Sequence, residues 1–193
     1  MNNTPIADAL SLRATASAFD AQRGKLPVPG DHHRSPGTVA VARQVSELGE
    51  LITDLSNEVL FRAAAQDHEG HTARVIAGFA AAVRPAGEAA SALGEMAHQL
   101  SFLSRTEHLR DQPYSQEARE AAMRVMDDAL GTADTALRDA ADSLHAASAT
   151  VSPPSIRLRA ARSRSTIATP AIRPTPPATS PAAAAGSRTA RNR

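Results

Sequence analysis

The chain of 193 residues has no cysteine, no tryptophan, a single lysine (Lys25) and only 3% aromatic residues. Each shortage excludes something. Without cysteine there is no disulfide, no zinc ribbon, no iron–sulfur cluster and no thiol nucleophile, and the composition suits a reducing compartment. The β-branched and aromatic runs that strands require are missing, so the expectation is an all-α fold. No apolar run approaches the roughly 20 residues of a membrane span. The longest, near Ile76–Val83, is rich in alanine. The first residues include Asp8 and lack the basic start and apolar core of a secretory leader. A soluble, cytoplasmic protein without a transmembrane segment is expected.

Catalytic signatures are scarce as well. Neither G-x-G-x-x-G nor G-x-S-x-G occurs, and Gly24-Lys25 lacks the upstream glycine of a phosphate loop. His68-Glu69-Gly70-His71 has its histidines three apart, whereas a zinc-protease helix needs them four apart on one face. Glu95-Met96-Ala97-His98 and Asp142-Ser143-Leu144-His145 echo the spacing of di-iron bundles. Met96 and Leu144 take the apolar positions there, which turns both acids and both histidines outward. His32-His33 sits in a Pro/Gly-rich linker as a solvated pair. The reading is non-enzymatic, with no cofactor and no metal.

What is plentiful is alanine: 42 residues, half of the apolar set. Alanine favours helix but contributes little burial, so helices packed at close range are expected rather than a thick core. The clearest period runs through Val41, Val45, Leu48, Ile52, Leu55 and Val59, and resumes at Ala73, Ile76, Ala80 and Val83. Between these halves the seam positions are Arg62, Gln66 and Glu69. The spacing predicts one long helix over 38–83, of about 69 Å at 1.5 Å per residue. Arg84-Pro85-Ala86-Gly87 is its expected end, because proline cannot continue the hydrogen-bond ladder. Further helices are predicted over 88–110 and 116–151, the last with Ser115 as N-cap and Met123, Met126, Leu130, Ala133, Leu137, Ala140, Leu144, Ala147 and Val151 as seam.

Three domains follow. Residues 1–37 form a short amphipathic helix and a linker. Residues 38–151 form an elongated, coiled-coil-like antiparallel three-helix bundle. Residues 152–193 form a disordered tail rich in Arg, Pro and Ala. In this arrangement Val41–Val59 is either covered by the first helix or open to a protein partner or a second copy. β-Branched residues at one seam position with leucine at the other favour parallel pairing. The turn at 84–87 would also bring Arg62 opposite Glu107 or Arg110, so that Arg62, Gln66, Glu69, Glu107 and Arg110 form a polar layer that fixes register or receives a ligand.

Charge divides the chain. All 20 acids precede residue 152, and residues 152–193 carry eight arginines and no acid. Arg157, Arg159, Arg162 and Arg164 crowd the start of that tail, where they could neutralise phosphates. No aromatic side chain interleaves with them for base stacking, so nucleic-acid binding there would be sequence-independent. The leading expectation is a helical interaction or scaffold protein. A nucleic-acid accessory protein with a phosphate-binding tail is the alternative.

Overall fold

The computed structural model describes residues 4–27, 37–64 and 70–152. Four helices carry the fold: α1 (Thr4–Arg23), α2 (Thr38–Ala64), α3 (Gly70–Arg105) and α4 (Pro113–Val151), with a 3-10 turn at Glu107–Leu109 between the last two. No strand occurs among the described residues, and the fold is an all-α helical bundle. No helix among them is long and apolar enough to cross a membrane.

Several of the expected helix ends move. The predicted 38–83 helix is two helices, since α2 stops at Ala64 and α3 starts at Gly70. The polar step in the seam therefore marks a change of helix, with Gly70 as its local signal. Conversely, Pro85 does not end a helix but lies inside α3. Proline in a helix interior costs about 3 kcal/mol because it forfeits one hydrogen bond and crowds the preceding turn. Here the deprived acceptor belongs to Ala81, which is exposed and open to water. The buried row Val75, Phe79, Ala82, Ala86, Ala89, Leu93 and Met96 continues across Pro85 without a break. Packing along that row outweighs the local penalty. The fourth helix begins at Pro113 rather than after Ser115, with proline at its first position, where an amide hydrogen is dispensable.

Successive helices run antiparallel. The Arg62 guanidinium stands 4.9 Å from the Phe79 ring centre, which fixes the α2–α3 hairpin. A Cβ added at Gly78 would lie 2.6 Å from the Ala147 Cβ and 3.3 Å from Leu12, so α1, α3 and α4 converge there. Arg23 Nε donates to Asp134 at 2.6 Å, and Ser148 Oγ donates to the Ala9 carbonyl at 2.8 Å, setting α1 antiparallel to α4. Contact is close between α1 and α4, α4 and α3, and α3 and α2, but sparse between α1 and α2. The bundle is thus closed on three sides and loosely joined on the fourth.

These registers divide the molecule lengthwise. Reckoned from the hairpin ends Ala64 and Gly70, Thr38 comes level with about residue 96 of α3, and α1 ends beside Asp134 of α4. Four helices surround the core below those levels. Beyond them α3 and α4 continue as a two-helix arm. Burial follows the division: from 113 to 128, α4 buries only Ala122 and Met126, whereas from 129 onward it buries Ala129, Leu130, Ala133, Ala136, Leu137, Ala140, Ala141, Leu144, Ser148 and Val151.

Candidate functional site

The expected partner face is occupied by the chain itself. Val41, Leu48 and Leu55 are 1%, 0% and 0% exposed, and Val45, Ile52 and Val59 pack half-buried against the same core. The physical reason is the early end of α2: with the hairpin turning after Ala64, α3 folds back along the whole of α2. The first helix, expected to cover this face, lies mainly on α4. It buries Ala9, Leu12, Ala16 and Phe19 and leaves Ile6 and Leu10 exposed.

The polar layer is dispersed too. Glu107 and Arg110 sit at the tip of the arm, where Arg119 Nη2 donates to Glu107 Oε2 at 2.7 Å, Arg119 Nη1 donates to the Leu103 carbonyl at 3.0 Å, and Arg110 Nη1 meets Glu107 Oε1 at 3.4 Å. Glu107 lies 28 residues beyond Phe79, where Arg62 stands, and nearly all of that stretch is α3, about 40 Å at 1.5 Å per residue. The expected Arg62–Glu107 pair does not form, because it presupposed a reversal at 84–87. Gln66 and Glu69 lie outside the described residues, as do His68, His32 and His33.

Arg62 instead gathers groups from three helices. It donates to Asp8 of α1 at 3.2 Å, pairs with Glu58 one turn earlier, and covers the Phe79 ring of α3. His71 Nε2 stands 3.6 Å from the other oxygen of Asp8, so His71 faces the bundle. Arg62, Asp8 and His71 are nearly buried, with side chains 14%, 13% and 17% exposed. A buried arginine whose partners are in place fixes register more than it adds stability.

A second polar clasp joins α1 to α2 at their other ends. Glu47 accepts from Lys25 Nζ at 2.5 Å and Gln22 Nε2 at 3.0 Å, and Gln44 Nε2 donates to the Gln22 carbonyl at 3.0 Å. The bonds from Lys25 and Gln22 hold the Glu47 carboxyl below the usual glutamate range. No sequence periodicity points to either clasp, since each is assembled from helices far apart in the chain.

Between the clasps α1 and α2 part. The opening is a cleft of about 320 Å³ lined by Thr15, Asp54, Leu55, Asn57, Glu58, Phe61 and Phe79. Leu55 and Phe79 are wholly buried and form its floor, while Phe61 at the rim is 79% exposed and the neighbouring Leu60 67% exposed. In the sequence these two widen the apolar face of α2 beyond a strict seam, and the structure leaves both exposed. The signal was present in the sequence: Leu60 and Phe61 fall off the seam register.

Residues suited to other chemistry stay apart. His145 meets Asp20 of α1 at 3.2 Å, and Glu95 and His98 are exposed on α3. No group of three or more His, Asp or Glu side chains able to hold a metal ion occurs among the described residues. The tail arginines Arg157, Arg159, Arg162 and Arg164 lie outside the described residues. Comparison with protein-family models, curated proteins and solved structures returns no match.

Proposed function

We propose that this protein is a non-enzymatic helical interaction module that receives a helix of a protein partner, or of a second copy, at the α1–α2 side. The observation that carries the reading is Phe61, 79% exposed at the rim of a cleft floored by Leu55 and Phe79, with Leu60, 67% exposed, next to it in α2. Scattered exposed apolar residues are ordinary, but here an exposed phenylalanine stands at the rim of an open cleft with an apolar floor and a polar rim, with an exposed leucine adjoining it in the chain. Three sides of the bundle are already closed by helix packing, and this one is held by polar clasps that leave room between them.

The test places a photo-reactive crosslinker at Asn57, an exposed cleft residue, in the full chain within its native cell. A discrete adduct is expected, and it should vanish when Leu60 and Phe61 are both changed to aspartate. No adduct, or one that the double variant retains, sinks the proposal. Sedimentation of the same two proteins shows whether the occupant is a second copy.

A second reading rests on the charge division, with eight arginines and no acid after residue 151. In it the tail holds nucleic acid through phosphates. Binding to mixed DNA and RNA should then weaken steeply with salt, the logarithmic slope growing by roughly 0.9 per duplex phosphate contact. It should also disappear in a chain ending at Ser152. Binding that survives the truncation refutes this reading.

A further inference from the structure

We infer that the outer furrow between α3 and α4 receives a basic amphipathic helix of a partner protein, whose cations are set against Asp127, Asp128 and Asp139. This side lies opposite the α1–α2 cleft and does not depend on the reading of that cleft.

Shape is the first argument. Helices α1 and α2 cover one side of the α3–α4 pair, and the other side is left open among the described residues. Two adjoining hollows of about 600 and 490 Å³ run along it and share Glu88, Asp128 and Thr132. Together they make one furrow from Val125 to Asp139. That stretch is about 21 Å of α4 at 1.5 Å per residue, the length of a helix of about four turns. Its floor is Ala92, Ala129 and Ala136, which are 8%, 8% and 3% exposed, and Val125 stands 38% exposed at one end. Alanine lets a third backbone approach closely, so the furrow suits a helix whose facing side is small and aliphatic.

Charge is the second. Every charged group of the lining is an acid. Glu88 is already engaged by Arg84 at 2.9 Å, and Glu95 accepts from Gln99 at 2.6 Å. Asp127, Asp128 and Asp139 remain, exposed and in no ion pair with a described residue. Asp128 and Asp139 are eleven positions apart, about three turns, so they stand on one face of α4 about 16 Å apart. A partner helix meets both by carrying Lys or Arg at the same spacing beside its aliphatic stripe. The three carboxylates repel phosphate, which selects a cationic protein segment over nucleic acid.

The probe is a synthetic peptide helix of that length, built from Leu, Ala and Lys, with lysines eleven positions apart and a nitroxide at mid-length. It is added to the full chain, and amide signals are read by NMR. Its counterpart carries Glu in place of each Lys. Signals of residues 88–95 and 125–139 should be lost with the Lys peptide and kept with the Glu peptide. Changing Asp127, Asp128 and Asp139 together to asparagine should weaken the Lys peptide about tenfold, since each exposed pair contributes little alone. Changing Glu50, Glu117 and Glu120 together to glutamine removes the same charge from exposed positions outside the furrow. That change should alter affinity by less than about twofold, because salt screens distant charges. Several outcomes overturn the inference: no binding, binding of the Glu peptide as well, or equal weakening by the two triple variants. Signal loss centred on Asn57 in the α1–α2 cleft also overturns it.

Discussion

In the four-helix part of the molecule, small residues disappear completely; in the two-helix arm, large ones remain in view. Ala82, Ala86, Ala89, Ala133 and Ala140 are wholly buried in the body, whereas Met123 and Val125 in the arm are each 38% exposed and Tyr114 at its tip is 88% exposed. The same two helices, α3 and α4, supply both sets. Their residue types do not differ enough to explain the contrast; the number of neighbouring helices does. Alanine lets backbones approach, and the close approach becomes burial only where α1 and α2 cover the flanks. The arm has the seam of a bundle without its walls.

The sharpest way to break this comparison is to empty one core position in each part. Phe79→Ala, in the body and wholly buried, should lower global stability by about 3–5 kcal/mol. Met126→Ala, in the arm and 8% exposed, should lower global stability far less. Its effect should instead be local, seen as lost hydrogen-exchange protection over 97–128 with the body unchanged. If Met126→Ala shifts the whole denaturation curve as much as Phe79→Ala does, body and arm are one cooperative unit and the division fails.

Glycine gives a finer comparison. At Gly78 an added Cβ would stand 2.6 Å from Ala147, between three converging helices. Gly131→Ala has open space, with nothing within 4 Å of the added Cβ. Both sit in helices, so alanine gains about 1 kcal/mol of propensity at either. At Gly131 that gain should appear as a stabilisation of about 0.5–1 kcal/mol. At Gly78 overpacking of about 1–3 kcal/mol opposes it, so the net change should be destabilising. A stabilising Gly78→Ala in chemical denaturation would mean that α1, α3 and α4 are not pressed together there.

Much of this was legible beforehand, and the exceptions have identifiable causes. The all-α class and the inward row Met126, Leu130, Ala133, Leu137, Ala140, Leu144 and Val151 of α4 follow from composition and period, whereas Met123 of the same expected seam is 38% exposed and Ala147 only half-buried. Pro85 misled because a local rule was applied where tertiary packing decides: its lost hydrogen bond falls on an exposed acceptor, and the buried row of α3 runs through it. The true reversal after Ala64 carries no proline and showed only as polar residues in the seam. Misplacing one turn relocated the Arg62 pairing by about 40 Å and made the Val41–Val59 face look uncovered. The Leu60–Phe61 rim was legible as a widening of the apolar face beyond the seam, but its exposure was not, because that depends on where the other helices pack. Its functional interest comes from being out of register and exposed.

The smallest expected effect concerns the weakest side of the body. Glu47 holds α2 to Gln22 in the last turn of α1 and to Lys25 just beyond it, and its carboxyl is held below the usual glutamate range by those bonds. A group with a depressed folded value contributes stability that is complete above its unfolded value, about 4.3 for glutamate. That contribution is lost as pH falls through the lower folded value. Acidification below about pH 4 should therefore loosen the α1–α2 side ahead of the α3–α4 seam, which is joined by apolar contacts with no such carboxylate at its centre. Glu47→Gln removes the titrating group while keeping an acceptor for Lys25. Its stability should sit slightly below that of the parent at neutral pH, and the two curves should converge below about pH 4. The exposure of the pair keeps the effect small, since solvent screens it. Parallel curves across the whole range would show that the clasp is incidental and that α1 is held by α4 alone.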